Sequence, residues 1–138
     1  MAFFALIAII DIRYRVIPNL LTYSGIAVAL FANVVIAQRP PLPILLGMVF
    51  AFGIFYLVAR LRPDELGGGD VKLAALLGAI FGFPLILWVL IVSVVTSGAA
   101  IFYLLSSGGR TLKDTIPYAP FLCLGAVTVI LCNSLFGV

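Results

Sequence analysis

The chain contains no histidine, one tryptophan and two cysteines, and only 9% of its 138 residues are charged. The missing histidine excludes Ser–His and Cys–His nucleophilic schemes and leaves no plausible zinc site. The shortage of charge excludes a soluble domain, whose surface at this length would carry far more. Cys123 and Cys132 share the last apolar run, and at about 100° per residue they fall on roughly opposite helix faces. They read as small packing residues and not as a disulfide or a metal pair. Any chemistry must therefore be run by Asp, Glu, Lys, Tyr, Ser or Thr.

What remains is apolar. Hydrophobic residues make up 64% of the chain, and the mean hydropathy is +1.32. Several runs are long enough to cross a hydrocarbon core of ~30 Å. They are continuous, unlike the alternating segments of a membrane β-barrel. The expected class is all-α: a polytopic integral membrane helical bundle forming one domain over residues 1–138. The opening MAFFALIAII has neither a basic flank nor a small-residue cleavage site, so it does not read as a cleaved signal peptide. It is short for a span, so its helix either continues past Asp11 to about Val16 or has its native start further upstream.

About six membrane segments are expected, near 2–16, 20–37, 44–61, 70–83, 84–105 and 118–137. Pro18-Asn19 separates the first two, because the residue before proline is pushed out of the α region. Gln38 to Pro43 forms a tight turn, Gly82-Phe83-Pro84 a sharp one, and the stretches 60–69 and 106–118 are polar. Arg13, Arg15, Arg60, Arg62, Lys72, Arg110 and Lys113 fall in or beside the first, third and fifth connections, with Arg39 alone on the other side. The positive-inside rule makes those three connections cytoplasmic and puts both termini on the outer side. Asp11, Asp64, Glu65, Asp70 and Asp114 lie on that same side. The fourth segment is short, about 21 Å from Asp70 to Phe83, so it either thins the bilayer or sits recessed in the bundle. Its Gly78 and Gly82 form a G-x-x-x-G pair that admits a close neighbour.

Read singly, the polar residues have ordinary explanations. Asp70 suits a helix N-cap, and Gly67-Gly68-Gly69 suits a flexible linker. Asp11 could neutralise Arg13 or Arg15, and Lys72 could bias nearby carboxylates or reach toward the headgroups. Read together, Asp11 and Asp70 end two short helices at one membrane face. Two carboxylates brought close in a low dielectric cannot both ionise comfortably and hold one proton between them. Such a pair can activate a water with one member and protonate a leaving nitrogen with the other, which is aspartic proteolysis. The glycines would then leave room for a substrate backbone and a strand-like edge for it to pair with.

The same residues carry a resemblance. Asp11-Ile12-Arg13-Tyr14-Arg15-Val16-Ile17-Pro18-Asn19 resembles the D-x-R-x-x-x-I-P-N signature of type IV prepilin peptidases. Gly67-Gly68-Gly69-Asp70-Val71-Lys72-Leu73 is similar to their G-x-G-D-x-K-L signature, and Ile116-Pro117-Tyr118-Ala119-Pro120-Phe121-Leu122 to their P-Y-G-P-F-L stretch, with Ala119 in place of glycine. The three motifs occur in order and span nearly the whole chain. The resemblance implies a membrane aspartic endopeptidase, with Asp11 and Asp70 matching the catalytic pair. Arg13, Pro18, Asn19, Lys72 and the three glycines match positions that shape or support the site.

It also implies a substrate class: pilin-like precursors whose short basic leader, ahead of an apolar helix, is removed at the cytoplasmic face of the inner membrane. No cofactor, metal or nucleic-acid partner is expected. Larger bacterial members carry paired C-x-x-C motifs associated with zinc and N-methylation. This sequence has none, so it is similar to the compact peptidases of tight-adherence (Flp-type) pili. Two rival readings are a presenilin-like intramembrane protease and a small ion or proton carrier. The first looks for Tyr-Asp where this chain has Ile10-Asp11, and for a Pro-Ala-Leu stretch that is absent. The second needs ionisable groups at mid-membrane, where the polar candidates are Asn33, Ser93, Thr96 and Ser97.

Overall fold

The computed structural model describes Ile9, Arg13 and residues 19–64, 66–108 and 118–137. Within them the chain forms five α-helices: α1 (Asn19–Phe31), α2 (Pro41–Leu61), α3 (Gly68–Phe81), α4 (Leu85–Ser106) and α5 (Ala119–Phe136). A π-helical turn, Ala32–Ile36, prolongs α1. The expected segment 2–16 lies outside the described residues, Ile9 and Arg13 apart. The other five segments are recovered as helices, with ends shifted by a few residues. Four helical stretches are long and apolar enough to cross a membrane: Asn19–Ile36, Pro41–Leu61, Leu85–Ser106 and Ala119–Phe136. The chain is a multi-pass membrane protein.

Local chemistry sets the boundaries. Pro41 occupies the first turn of α2 and Pro120 that of α5, positions where a missing N–H costs nothing. The link from α3 to α4 turns at Gly82, whose φ of +66° puts it in the left-handed region. Phe83 follows, with its N–H bonded to Pro43 O at 2.8 Å. This bond pins the α3–α4 corner to the start of α2.

The fifth helix, α3, is the exception in length and in environment. It has 14 residues, ten of them buried, including Leu73, Leu76 and Leu77. Past Lys72 it is apolar on every side and almost wholly buried, as befits a helix in a bundle core. It packs most extensively on α2 and also meets α1, α4 and α5. Of the two options for a short fourth segment, recession in the bundle is the one observed. The surrounding helices expose large side chains such as Leu20, Phe102 and Leu135 on their outer surfaces.

Between membrane helices, where there is no water to expel, close approach and polar contacts supply the attraction. The Gly78/Gly82 pair meets Gly47 of α2. A methyl on Gly78 would lie 2.5 Å from Gly47 O and 2.6 Å from Met48 Cα. On α5, Gly125 fits against Val89 O and the Ser93 hydroxyl in the same manner. The Asn33 amide donates to Ala79 O at 3.0 Å and Ile80 O at 3.1 Å, the carbonyls that the end of α3 leaves without helical partners. Ser93, Thr96 and Ser97 donate to carbonyls of their own helix, Val89, Val92 and Val94. These deeper polar residues are thus engaged in packing and local bonding. Cys123 is buried and Cys132 exposed, as opposite faces require.

Candidate active site

The chain direction and these contacts gather one end of each helix at a common face: the starts of α1, α3 and α5 and the ends of α2 and α4. Asn19 of the first signature stretch and the described parts of the other two lie there. Asn19 opens α1, Gly67 to Leu73 form the entry and first turns of α3, and Tyr118 to Leu122 open α5.

Asp70 is buried, only 9% exposed, although it stands in the first turn of a helix. Its position corrects the N-cap reading. Gly67 is the N-cap residue, Gly68 and Gly69 are already helical, and Asp70 is the third helical residue. Its N–H closes the turn on Gly67 O at 3.1 Å. The physical reason is electrostatic: the unpaired N–H groups and positive dipole end of α3 favour a carboxylate anywhere in the first turn, not at the cap alone. The carboxylate folds back over the entry to the helix, with Oδ2 3.9 Å from the place a Cβ on Gly67 would take.

The glycine run is also corrected. Gly67 is extended, with φ −75° and ψ 152°, which any residue can adopt, and the next two glycines continue as helix. No three-residue strand-like edge forms. What the glycines provide is access: Gly67 and Gly68 are exposed, and no atom lies within 4 Å of a Cβ built on Gly68. Gly68 opens onto a groove of about 430 Å³ between α2 and α3, lined by Phe52, Tyr56, Arg60, Val71 and Lys72. Phe52 and Tyr56 stack along its wall, ring centres 5.7 Å apart. On the other side, Leu66 is buried and lines a second apolar groove of about 370 Å³ with Phe55, Ser97, Tyr118, Phe121 and Leu122. A larger cavity, about 660 Å³, lies at the opposite end of the bundle beside Asn33 and Arg39, away from Asp70.

Lys72 reaches α1. Its ammonium donates to Asn19 Oδ1 at 2.6 Å and sits 5.4 Å from the centre of the Tyr23 ring. The last residue of the first signature is thereby bonded to the lysine of the second. Arg13 is helical and exposed. Asp11 and Pro18 lie outside the described residues. Sequence reasoning missed Tyr23 and gave Asn33 no partner. Tyr23 stands one helical turn after Asn19, so its place on the same face was readable from spacing.

Taken together, the fold and this face define a class: a helical membrane protein with a buried carboxylate presented at the glycine-flanked start of a short, enclosed helix. A family model described as "Type IV leader peptidase family" matches residues 1–105, and the chain belongs to that family. Similar curated proteins are named "Prepilin leader peptidase/N-methyltransferase". The one from Burkholderia pseudomallei (strain 1026b) is 29% identical over 133 residues, covering 92% of this chain and 43% of its own length. The one from Vibrio cholerae serotype O1 is 30% identical over 129 residues, covering 88% and 49%. That of Xanthomonas campestris pv. campestris is 29% identical over 125 residues, covering 87% and 44%. The chain therefore spans less than half the length of these relatives. No solved structure matches it.

Proposed function

We propose that this chain, over residues 1–138, is a membrane-embedded aspartic endopeptidase. It removes the short basic leader from pilin-like precursors at the cytoplasmic face of the inner membrane, with both termini on the outer side. The observation that carries the reading is Asp70: a buried carboxylate at the start of an enclosed helix, on the face where the signature stretches meet. Membership of the type IV leader peptidase family supplies the reaction class.

In this mechanism Asp70 and Asp11 share one proton. The ionised member takes a proton from water as its oxygen attacks the scissile carbonyl, and the protonated member donates to the carbonyl oxygen. The tetrahedral intermediate collapses as one carboxyl protonates the departing amine while the other, now ionised, takes a proton back from a gem-diol hydroxyl, which regenerates the shared-proton state. The open face over Gly67 and Gly68 lets the extended leader approach Asp70, and the precursor's apolar helix remains in the bilayer. Cleavage is the activity proposed for these residues.

The test is co-expression with a leader-bearing pilin precursor, read as a size shift. Asp70→Asn and Asp11→Asn should each abolish the shift while the protein still accumulates in the membrane. Full cleavage by either variant overturns the assignment.

A further inference from the structure

Asn19 and Lys72 each belong to a signature stretch, but Tyr23 belongs to neither. We propose that Tyr23 is a positioning residue. Its ring face and the Asn19 amide oxygen together dock the Lys72 ammonium, and so hold the first turn of α3, with Asp70, in fixed register against the start of α1.

The geometry has three parts. Asn19 and Tyr23 are one turn apart on the same face of α1, so their side chains flank a single point. The Lys72 ammonium occupies that point, 2.6 Å from Asn19 Oδ1 and 5.4 Å from the ring centre. A lysine has donors only, so a carbonyl oxygen and a π face are both suitable partners. Tyr23 is 57% exposed and stands near the start of a helix long enough to span a membrane, where aromatic residues are favoured.

At the first turn of α3, the N-cap Gly67 has no side chain to cap with and Gly68 has open space beside it, so the Lys72 contact adds an anchor there. At the other end of the same helix pair, Asn33 binds the last carbonyls of α3. α1 and α3 are thus tied by polar contacts at both ends, and the Lys72 contact is the one beside Asp70. Lys72 and Asp70 leave the helix about 200° apart, so Lys72 anchors the turn from the side opposite the carboxylate. Asn19 is also the last residue of the signature that contains Asp11, so the tether joins it to the signature that contains Asp70.

This inference rests on the peptidase reading, and the experiment separates the two. Wild type, Asp70→Asn, Tyr23→Phe, Tyr23→Leu, Lys72→Met and the Tyr23→Leu/Lys72→Met double variant are purified in detergent. Each is assayed on a leader-bearing precursor with kcat and KM resolved, and each is thermally unfolded. Loss of the ring face should lower kcat about fivefold in Tyr23→Leu with KM unchanged, from the usual strength of a partly exposed cation–π contact. Tyr23→Phe, which keeps the face, should rescue it, and the double variant should be no worse than Lys72→Met alone. The tether is overturned if Tyr23→Leu keeps wild-type kcat, if Tyr23→Phe loses as much as Tyr23→Leu, or if the two single losses multiply. Should wild type cleave no better than Asp70→Asn, the peptidase reading fails. Additive losses in Tm for Tyr23→Leu and Lys72→Met would then overturn the tether, and non-additive losses would sustain it as a structural contact.

Discussion

Replacing Gly78 by alanine adds one methyl group where the backbones of α2 and α3 approach closely. That methyl would lie 2.5 Å from Gly47 O, 2.6 Å from Met48 Cα and 2.7 Å from Gly47 C, all of them backbone atoms. No side-chain rotation can relieve the contact, so α2 must withdraw by about 1 Å to restore ordinary van der Waals separation. The withdrawal loosens the whole α2–α3 interface and pulls against the Phe83–Pro43 hydrogen bond at the corner. Overpacking of this kind costs about 1–3 kcal/mol, larger than the modest helix-propensity gain of alanine over glycine. Gly53, further along α2, serves as the control, because nothing lies within 4 Å of a Cβ built there. Thermal unfolding in detergent, in a Cys132→Ala background that removes the exposed thiol and followed by a thiol-reactive dye that reaches the buried Cys123 only on opening, should show Gly78→Ala clearly destabilised. Gly53→Ala should match wild type or exceed it slightly. Equal stability of the two variants would refute the argument that backbone contact at Gly47 and Gly78 joins these helices.

Asn33→Ala removes both bonds to the end of α3 and should lower stability by about 0.6–2 kcal/mol, the range for hydrogen bonds between membrane helices; the protein that remains folded should still cleave, as read by unfolding and the precursor size shift together. Gly68→Ala meets empty space and should leave Tm unchanged, whereas Gly68→Phe should fill the groove beside Asp70 and raise KM for a peptide substrate; an unaltered KM would place substrate approach elsewhere.

Much of the helical framework was legible because its signals are local. Long apolar runs and the Gly82-Phe83-Pro84 break set ends that the structure moves by only a few residues, although Pro41 to Pro43, expected in the turn, begin α2. The shortness of the fourth segment was equally plain. Whether it thinned the bilayer or withdrew from it depended on its neighbours, and ten buried residues out of 14 show withdrawal. Asp70 was legible as a residue that matters, but its place in the helix was not. The N-cap expectation assumed that three glycines stay outside a helix, yet tertiary packing of α3 draws Gly68 and Gly69 into its first turn. Lys72 shows the same limit: its long side chain could have reached headgroups or carboxylates, and it binds Asn19 and Tyr23.

The sequence by itself determined the class of the molecule, the extents of its helices and the residues able to carry chemistry. Hydropathy, proline and glycine act on the chain within a turn or two, and the absence of histidine needs no coordinates at all. Only the tertiary structure decided which helix the others enclose and which glycine faces Gly78. It also decided that Asp70 is buried within the first turn of α3, and that one lysine joins two signature stretches far apart in the chain. Those outcomes depend on shape and polar complementarity between surfaces that meet only after the helices pack.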